Sequence, residues 1–434
     1  MRGSMPAAPM GCYDRVMKAL PFVCCVLLSA CGARQDVFLP VYPNSGYVNP
    51  LPQASPSATP APTAKPGATP TPKPAATPKP VATPKPTPQP SRPPSALPEA
   101  TPLPASSGKP VEIRLYRTYG TESQVHLKGR VIKPETPTSA AETDSRLTNL
   151  RRNLGNFTVP EVAGVQVTLH LDQQQVTLTS NHEGMLLGTE ALGPLKPGFH
   201  TLRAELAPGQ SFSASEVTQE VVIHPAADTT LGFVSDIDDT ILKTGVSNKL
   251  EALKNLFLNN EYTSQHFPGT PELYTALDRH NDGQLDGDIL YLSGSPINYA
   301  ERLQGFLQIK GFPKGPLELK KWGYREGDDS PTEQVAYKLD RLRQLFQTYP
   351  KKPFILFGDS SEKDADIYLQ ISREFPGQVK GIYINNVTGS SPAEARFRGV
   401  HLTRDAGESA ADLFKRGLIT AEDLIRIQRA LPSS

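Results

Sequence analysis

Two hydrophobic periods divide the second half of this chain from the segment before it. Between residues 111 and 226 the apolar positions fall in short β-branched runs that partly alternate with polar ones: "VEIRLYR", "QVHLKGRVI", "GVQVTLHL", "QQVTLTS", "HTLRAEL" and "VTQEVVI". Gly, Pro, Asn and Asp punctuate them, which predicts an all-β, sandwich-like antiparallel domain. One polar interruption, "PETPTSAAETDSRLTNLRRN" (134–153), reads as a loop with a short helix. From Leu231 onward the pattern becomes strand, loop, helix. Strands are predicted at 231–235, 288–292, 353–357 and 379–384. Apolar residues at helical spacing fill 332–349 (Val335, Leu339, Leu342, Phe346) and 363–375 (Ile367, Ile371, Phe375). "GTPELYTAL" and "INYAERLQGFLQI" read as core helices, and "GESAADLFKRGL" and "TAEDLIRIQRAL" as two closing ones. This alternation predicts an α/β domain over 228–434 with a mainly parallel sheet.

Neither period exists before residue 111. Most of the 44 prolines lie there, in units such as "ATPTPKPAATPKP". Proline removes amide donors and fixes φ, so 32–110 is expected to be a disordered, extended tether with roughly 3 Å of reach per residue. The first 31 residues read as an address. Arg15 and Lys18 precede an apolar stretch, Ala19 to Ala30, that is too short for a bilayer, which needs about 20 residues. "LSAC" resembles the lipobox of bacterial lipoproteins, so 1–31 is expected to be an export signal ending at a lipidated Cys31, with Met1 or Met17 as its start. That resemblance implies a protein tethered to a membrane of the bacterial cell envelope, outer membrane or outer face of the plasma membrane.

Composition narrows the chemistry. The net charge of +1 gives no electrostatic case for nucleic acid. All four cysteines lie within the first 31 residues, which excludes a thiolate nucleophile or thiolate metal site downstream. His126, His170, His182 and His200 stand singly in the β region and are expected to be structural; this region reads as a spacer or substrate-presenting module.

In open parallel sheets, ligands bind beyond the carboxyl ends of the strands. Three predicted strands end in chemistry: Asp236-Ile237-Asp238-Asp239-Thr240, Ser293-Gly294-Ser295-Pro296, and Gly358-Asp359-Ser360-Ser361-Glu362-Lys363-Asp364. Lys338 lies early in the helix before the third. Each has a bland reading: an acidic turn with Asp239 capping an amide, a Ser293 turn before Pro296, a solvated Lys338, an Asp364 at a helix N-terminus. Together and in this order, the four motifs resemble the haloacid dehalogenase (HAD) superfamily of phosphatases. "SDIDDTILKTGVSNK", "YLSGSPINY", "GFPKGPLEL" and "ILFGDSSEKDADIY" are similar to the catalytic domain of App1-type phosphatidate phosphatases, and the β region to the segment preceding it in bacterial relatives. Ser361, Ala365 and Asn385-Asn386 depart from that pattern, where Gly, Pro and an Arg-Asp pair are usual.

The resemblance implies a HAD-like Rossmannoid sheet with a minimal cap. It also implies Mg²⁺ held by Asp236, Asp359, the backbone carbonyl of Asp238 and, directly or through a neighbour, Asp364. Asp236 is the implied nucleophile, Asp238 the acid and base, and Thr240, Ser293 and Lys338 the phosphate-binding groups. The expected reaction is phosphomonoester hydrolysis through an aspartyl phosphate, with phosphatidate as substrate. Another exported phosphatase, for soluble or polymeric esters, and a catalytically idle binding module remain as alternatives. Short intervals between the motifs leave little chain for a lid. "DRHNDGQLDGD" (278–288) hints at a calcium loop through Asp278, His280, Asp282 and Gly283. It lacks a Glu at the twelfth position, where Ile289 falls, and is expected to be a polar surface loop.

Overall fold

The computed structural model describes residues 108–134, 139–243, 258–321 and 332–432. The Cys31 motif and residues 32–107 of the expected tether lie outside the described residues, whereas its last two residues, Lys109 and Pro110, are not disordered but pair as a short strand with Phe212–Ser213. The described residues form one compact unit.

Its β region comprises β1 (Lys109–Pro110), β2 (Glu112–Leu115), β3 (Thr118–Gly120), β4 (Val125–Ile132), β5 (Gln166–Leu171), β6 (Gln174–Thr179), β7 (Met185–Glu190), β8 (Gly198–Leu206), β9 (Phe212–Ser213) and β10 (Val217–Ile223). The six predicted runs are all strands. β3 and β7 were not legible, being three residues long or broken by Gly188. Eight strands join in the order β2-β4-β3-β10-β8-β5-β6, with β7 on β4. Ile113, Leu127 and Leu186 from one half face Val167, Leu169, Leu202 and Val221 from the other in a single core. The packing is sandwich-like, but it is not purely antiparallel. β3 pairs in parallel with β10, and through Gly120 and Val125 it links the two halves.

The α/β region adds β11 (Gly232–Ser235), β12 (Ile289–Pro296), β13 (Leu317–Lys320), β14 (Phe354–Asp359), β15 (Val379–Asn385) and β16 (His401–Thr403). They form one sheet in the order β13-β12-β11-β14-β15-β16, parallel at every pairing. β16 is only three residues long, and β13 carries the charged Glu318, so neither shows a run of apolar residues. Strand side chains alternate between faces. Val234, Leu290, Leu292, Leu356 and Ile384 pack against Tyr337, Leu342 and Phe346 of the helix Thr332–Thr348 and Ile367, Tyr368 and Ile371 of the helix Asp364–Glu374. On the opposite face Phe233 and Phe357 meet Tyr274 of the helix Thr270–Asp278, with ring centroids 5.4 and 5.1 Å apart. A sheet buried on both faces explains why its strands read as apolar runs.

The β region is not a detached spacer. Tyr119 and Val222 belong to the same core as the α/β layers. Tyr349 donates a 2.6 Å hydrogen bond to the Gly120 carbonyl, and His126 sits 2.9 Å from the Thr348 hydroxyl. Buried Glu318 accepts a 2.7 Å bond from Lys128. Burial pushes that carboxyl up, yet Lys128 and Arg341 outweigh it and hold Glu318 below the usual range. The polar interruption holds a 13-residue helix, Arg146–Thr158, capped by the Ser145 hydroxyl. Asparagines on one of its faces reach the α/β region: Asn149 and Asn153 donate to the carbonyls of Leu258 and Asn259, and the Asn156 carbonyl accepts from Asn298. The intervals 244–257 and 322–331, part of the short-lid expectation, lie outside the described residues.

Candidate active site

Because β11, β12 and β14 are adjacent and parallel, their carboxyl ends bring Asp236, Ser293 and Asp359 to one edge, although the first and last are 123 positions apart. The turn after β11 is tight. The amides of Ile241 and Leu242 both donate to the Ile237 carbonyl, and Asp239 takes φ 56°, a left-handed conformation that short polar residues tolerate. The turn is pinned from the side by Asn385, whose amide donates to the Asp239 carbonyl at 3.0 Å.

At the centre stands Lys338, fully buried. Its Nζ lies 2.7 Å from Asp236 Oδ1, 2.6 Å from Asp364 Oδ1 and 3.3 Å from Glu362 Oε2. Burial alone would lower the ammonium's pKa, but Asp236, Asp364 and Glu362 outweigh it and hold the value well above the usual lysine range. The solvated-lysine reading is therefore excluded by position. Thr240 donates to Asp236 Oδ2 at 3.1 Å, so its hydroxyl is turned to the carboxylate expected to be the nucleophile.

Three carboxylates thus contact one ammonium, and a fourth, Asp359, lies beside two of them. Burial, then the neighbouring acids, push Asp236 well above the ordinary aspartate value, with Lys338 opposing. Asp359 rises to about 8 from burial and from Asp364. Asp359 Oδ1 accepts from the Ser361 amide at 2.6 Å and from the Ser361 hydroxyl at 2.5 Å, so the departure at Ser361 adds a bond to the site. Asp359 Oδ2 is buried with no hydrogen-bond partner. Oxygens of Asp236, Asp359 and Asp364 lie within 4.8 Å of one another. Hard oxygen donors, an orphaned buried carboxylate oxygen and an excess of negative charge fit a divalent cation such as Mg²⁺. Gly358 makes this approach possible, since a Cβ there would meet Asp364 Cβ at 2.5 Å and Oδ2 at 2.7 Å.

Asp238 lies on the other side of the turn. Its Oδ2 accepts from the Ser293 hydroxyl at 2.9 Å and from the Ser295 hydroxyl at 2.7 Å, while the Ser295 amide donates to Ser293 Oγ at 2.9 Å. Burial raises its pKa, with the two serine bonds opposing. Ser293 is thus neither a simple turn starter nor turned away from the site.

Sequence reasoning missed three contributors. Ser295 stands two residues after Ser293 on the same face of a strand, a period-two signal that was available. Glu362 lies between Asp359 and Asp364 in the same loop. Gln334, four residues before Lys338 on one helix face, donates to Glu362 Oε2 at 2.5 Å and packs over Gly294, where a Cβ would meet it at 2.6 Å.

Residues 231–386, the stretch that supplies all of these side chains, match the family described as phosphatidate phosphatase APP1, catalytic domain. Phosphatidate phosphatase APP1 of Saccharomyces cerevisiae is 34% identical over 161 residues, 37% of this chain and 26% of that protein. An uncharacterized protein of Schizosaccharomyces pombe is 23% identical over 159 residues, 36% of this chain and 25% of that one. The chain therefore spans about a quarter of the length of each relative. A carbohydrate acetylesterase structure from Xanthomonas citri aligns over 70% of this chain and 72% of its own at 10% identity, with a TM-score of 0.25, too low to speak to fold or chemistry. The matching segment begins at β11 and ends just past β15, so the β region and the last two helices lie outside the match.

Proposed function

We propose that the chain is a HAD-like, Mg²⁺-dependent phosphomonoester hydrolase that works through an aspartyl phosphate on Asp236, with phosphatidate as its substrate and diacylglycerol and phosphate as products. The observation that carries this reading is the placement of Asp236 between the Lys338 ammonium and the Thr240 hydroxyl, beside the orphaned Asp359 oxygen and opposite the serine-held Asp238. Asp236, Asp359, Asp364 and the Asp238 carbonyl would hold the cation, which when bound neutralises the carboxylates and admits an anionic phosphate to them.

Thr240 and Lys338 fix the rotamer of Asp236 so that one carboxylate oxygen faces the phosphorus. Its attack expels the alkoxide and forms the acyl phosphate, dividing one displacement into two. Asp238, whose raised pKa favours the protonated form, gives its proton to the leaving oxygen and then takes one from the attacking water. Ser293 and Ser295 orient that carboxyl. Rotation about one bond turns the Ser293 hydroxyl from Asp238 toward a phosphoryl oxygen, where Lys338 supplies fixed positive charge.

The leaving group gives a direct test. Asp238→Asn should lose 10²–10⁴-fold of its turnover on an alkyl phosphate, about the usual worth of a general acid, and much less on p-nitrophenyl phosphate, whose leaving oxygen needs no proton. Equal losses on both substrates would refute the acid role. Phosphatidate in mixed micelles, assayed beside soluble esters with Mg²⁺ and with EDTA, tests the lipid assignment; a wide preference for soluble esters defeats it. The envelope anchor is proposed from the Cys31 motif alone. Cys31→Ser should move the protein from the membrane fraction to the soluble one, and an unchanged distribution would refute the anchor.

A further inference from the structure

A protonated lysine has three N–H donors and no acceptor. All three of Lys338 are taken: Nζ donates to Asp236 Oδ1 at 2.7 Å, to Asp364 Oδ1 at 2.6 Å and to Glu362 Oε2 at 3.3 Å. In the proposed reaction the same ammonium must meet a phosphoryl oxygen. One of the three carboxylates therefore has to let go first.

Their surroundings decide which. Asp236 is buried, is held by the Thr240 hydroxyl at 3.1 Å and carries the attacking oxygen. Asp364 is buried at the start of the helix Asp364–Glu374, and its Oδ2 accepts from the Asp359 amide at 3.3 Å. Glu362 differs from both. Its side chain is 17% exposed, against 1% for Asp236 and 0% for Asp364, and its contact with Nζ is the longest of the three. It also has one more methylene on which to turn. The backbone beneath it is anchored: the Glu362 amide donates to Asp359 Oδ1 at 3.2 Å, the Ser360 amide donates to the Asn385 carbonyl at 3.0 Å, and Arg396 donates to the Glu362 carbonyl. Rotation of the side chain, and not movement of the loop, is thus what clears the ammonium. In place, the carboxylate is steadied by the Gln334 amide, which donates to the same Oε2 at 2.5 Å. Its charge reaches the whole site, since Glu362 helps to raise Asp236, Asp238, Asp359 and Asp364. An incoming phosphate meets the same repulsion.

We infer that Glu362 is a displaceable occupant of the phosphate position. Its carboxylate takes the Lys338 donor that a phosphoryl oxygen needs, yields it to an entering phosphomonoester dianion, and reclaims it as inorganic phosphate leaves. Two charges on the phosphate outbid one on the carboxylate for the ammonium. The exchange keeps Lys338 paired at every stage, which matters because a buried charge without a partner is costly. Glu362 thereby limits phosphate affinity and promotes product release. This role rests on the phosphatase reading of the site.

Equilibrium binding of inorganic phosphate to the full chain, measured by isothermal titration calorimetry at fixed MgCl₂, tests it without turnover. Glu362→Gln keeps the shape of the side chain and removes its charge. It should bind phosphate about tenfold more tightly, a modest share of the repulsion between charges a few ångströms apart in a protein. The inhibition constant of phosphate against phosphomonoester turnover should fall by a similar factor. A glutamate that only supported the loop would give the opposite sign, because its loss would loosen the site and weaken binding. Glu362→Asp keeps the charge but falls short of Nζ; it should tighten binding by less, and it serves if the first variant is unstable. Phosphate bound no more tightly by either variant, beside a wild type that binds it, would overturn the role of Glu362 and leave the phosphatase reading standing. A wild type that neither binds phosphate nor hydrolyses any phosphomonoester would overturn both.

Discussion

Asp236→Asn should reduce phosphomonoester turnover by about 10⁴-fold or more, since no other group can take up the phosphoryl and residual rate comes from binding alone. Melting temperature should fall little or rise, because the exchange relieves repulsion with Asp364, Glu362 and Asp359 while losing only one partner of Lys338. Steady-state kinetics and thermal unfolding of the same preparation check both halves. Retention of more than a tenth of the activity would remove Asp236 from the chemistry. Acid-quenched wild type should carry phosphate on one aspartate, and the variant should not.

The largest effect on stability should come from Lys338→Met. Methionine matches the lysine stem in volume but leaves the buried Asp236 and Asp364, and the half-buried Glu362, without their cation, a change that typically costs about 3–5 kcal/mol. The sign with pH follows from linkage. Asp236, Asp359 and Asp364 have folded-state pKa values raised above those of the unfolded chain, so they stabilise the fold at low pH and lose that contribution as pH rises, for Asp359 through about 8. The variant's deficit should therefore shrink from pH 8 to pH 5, as protons replace the missing ammonium. Mg²⁺ should recover more stability in the variant than in wild type. Urea unfolding across pH, with and without Mg²⁺, reads all three. A deficit independent of pH and metal would mean that Lys338 serves packing and not charge.

Much of the α/β region was legible because its signals are local. Val335, Leu339, Leu342 and Phe346 repeat at helical spacing, and three of the four predicted strands are apolar runs that lead within two residues to Ser or Asp. The motif residues could be named for the same reason: Asp236, Ser293 and Asp359 directly follow or end such runs, and parallel topology places those ends together. Side-chain partners were less legible. The Thr240 hydroxyl faces Asp236, and the Ser293 hydroxyl faces Asp238, choices made by rotamers and neighbours that no spacing reveals. Glu318 was lost as a strand residue because its partner, Lys128, lies 190 positions away.

The sequence by itself determined the order of the longer strands and the helices, the residue types at the strand ends and the proline-rich composition ahead of them, because these depend on backbone propensity and on neighbours a few positions apart. Only the tertiary structure decided that Tyr119 and Val222 share the α/β core, that Glu362 and Ser295 join the site, and that Asp278 and Asp286 hold oxygens without donors. Those outcomes depend on which distant groups are brought within hydrogen-bond reach and which are shut away from water. Both are properties of the packed chain, and hydrophobic periodicity carries no record of them.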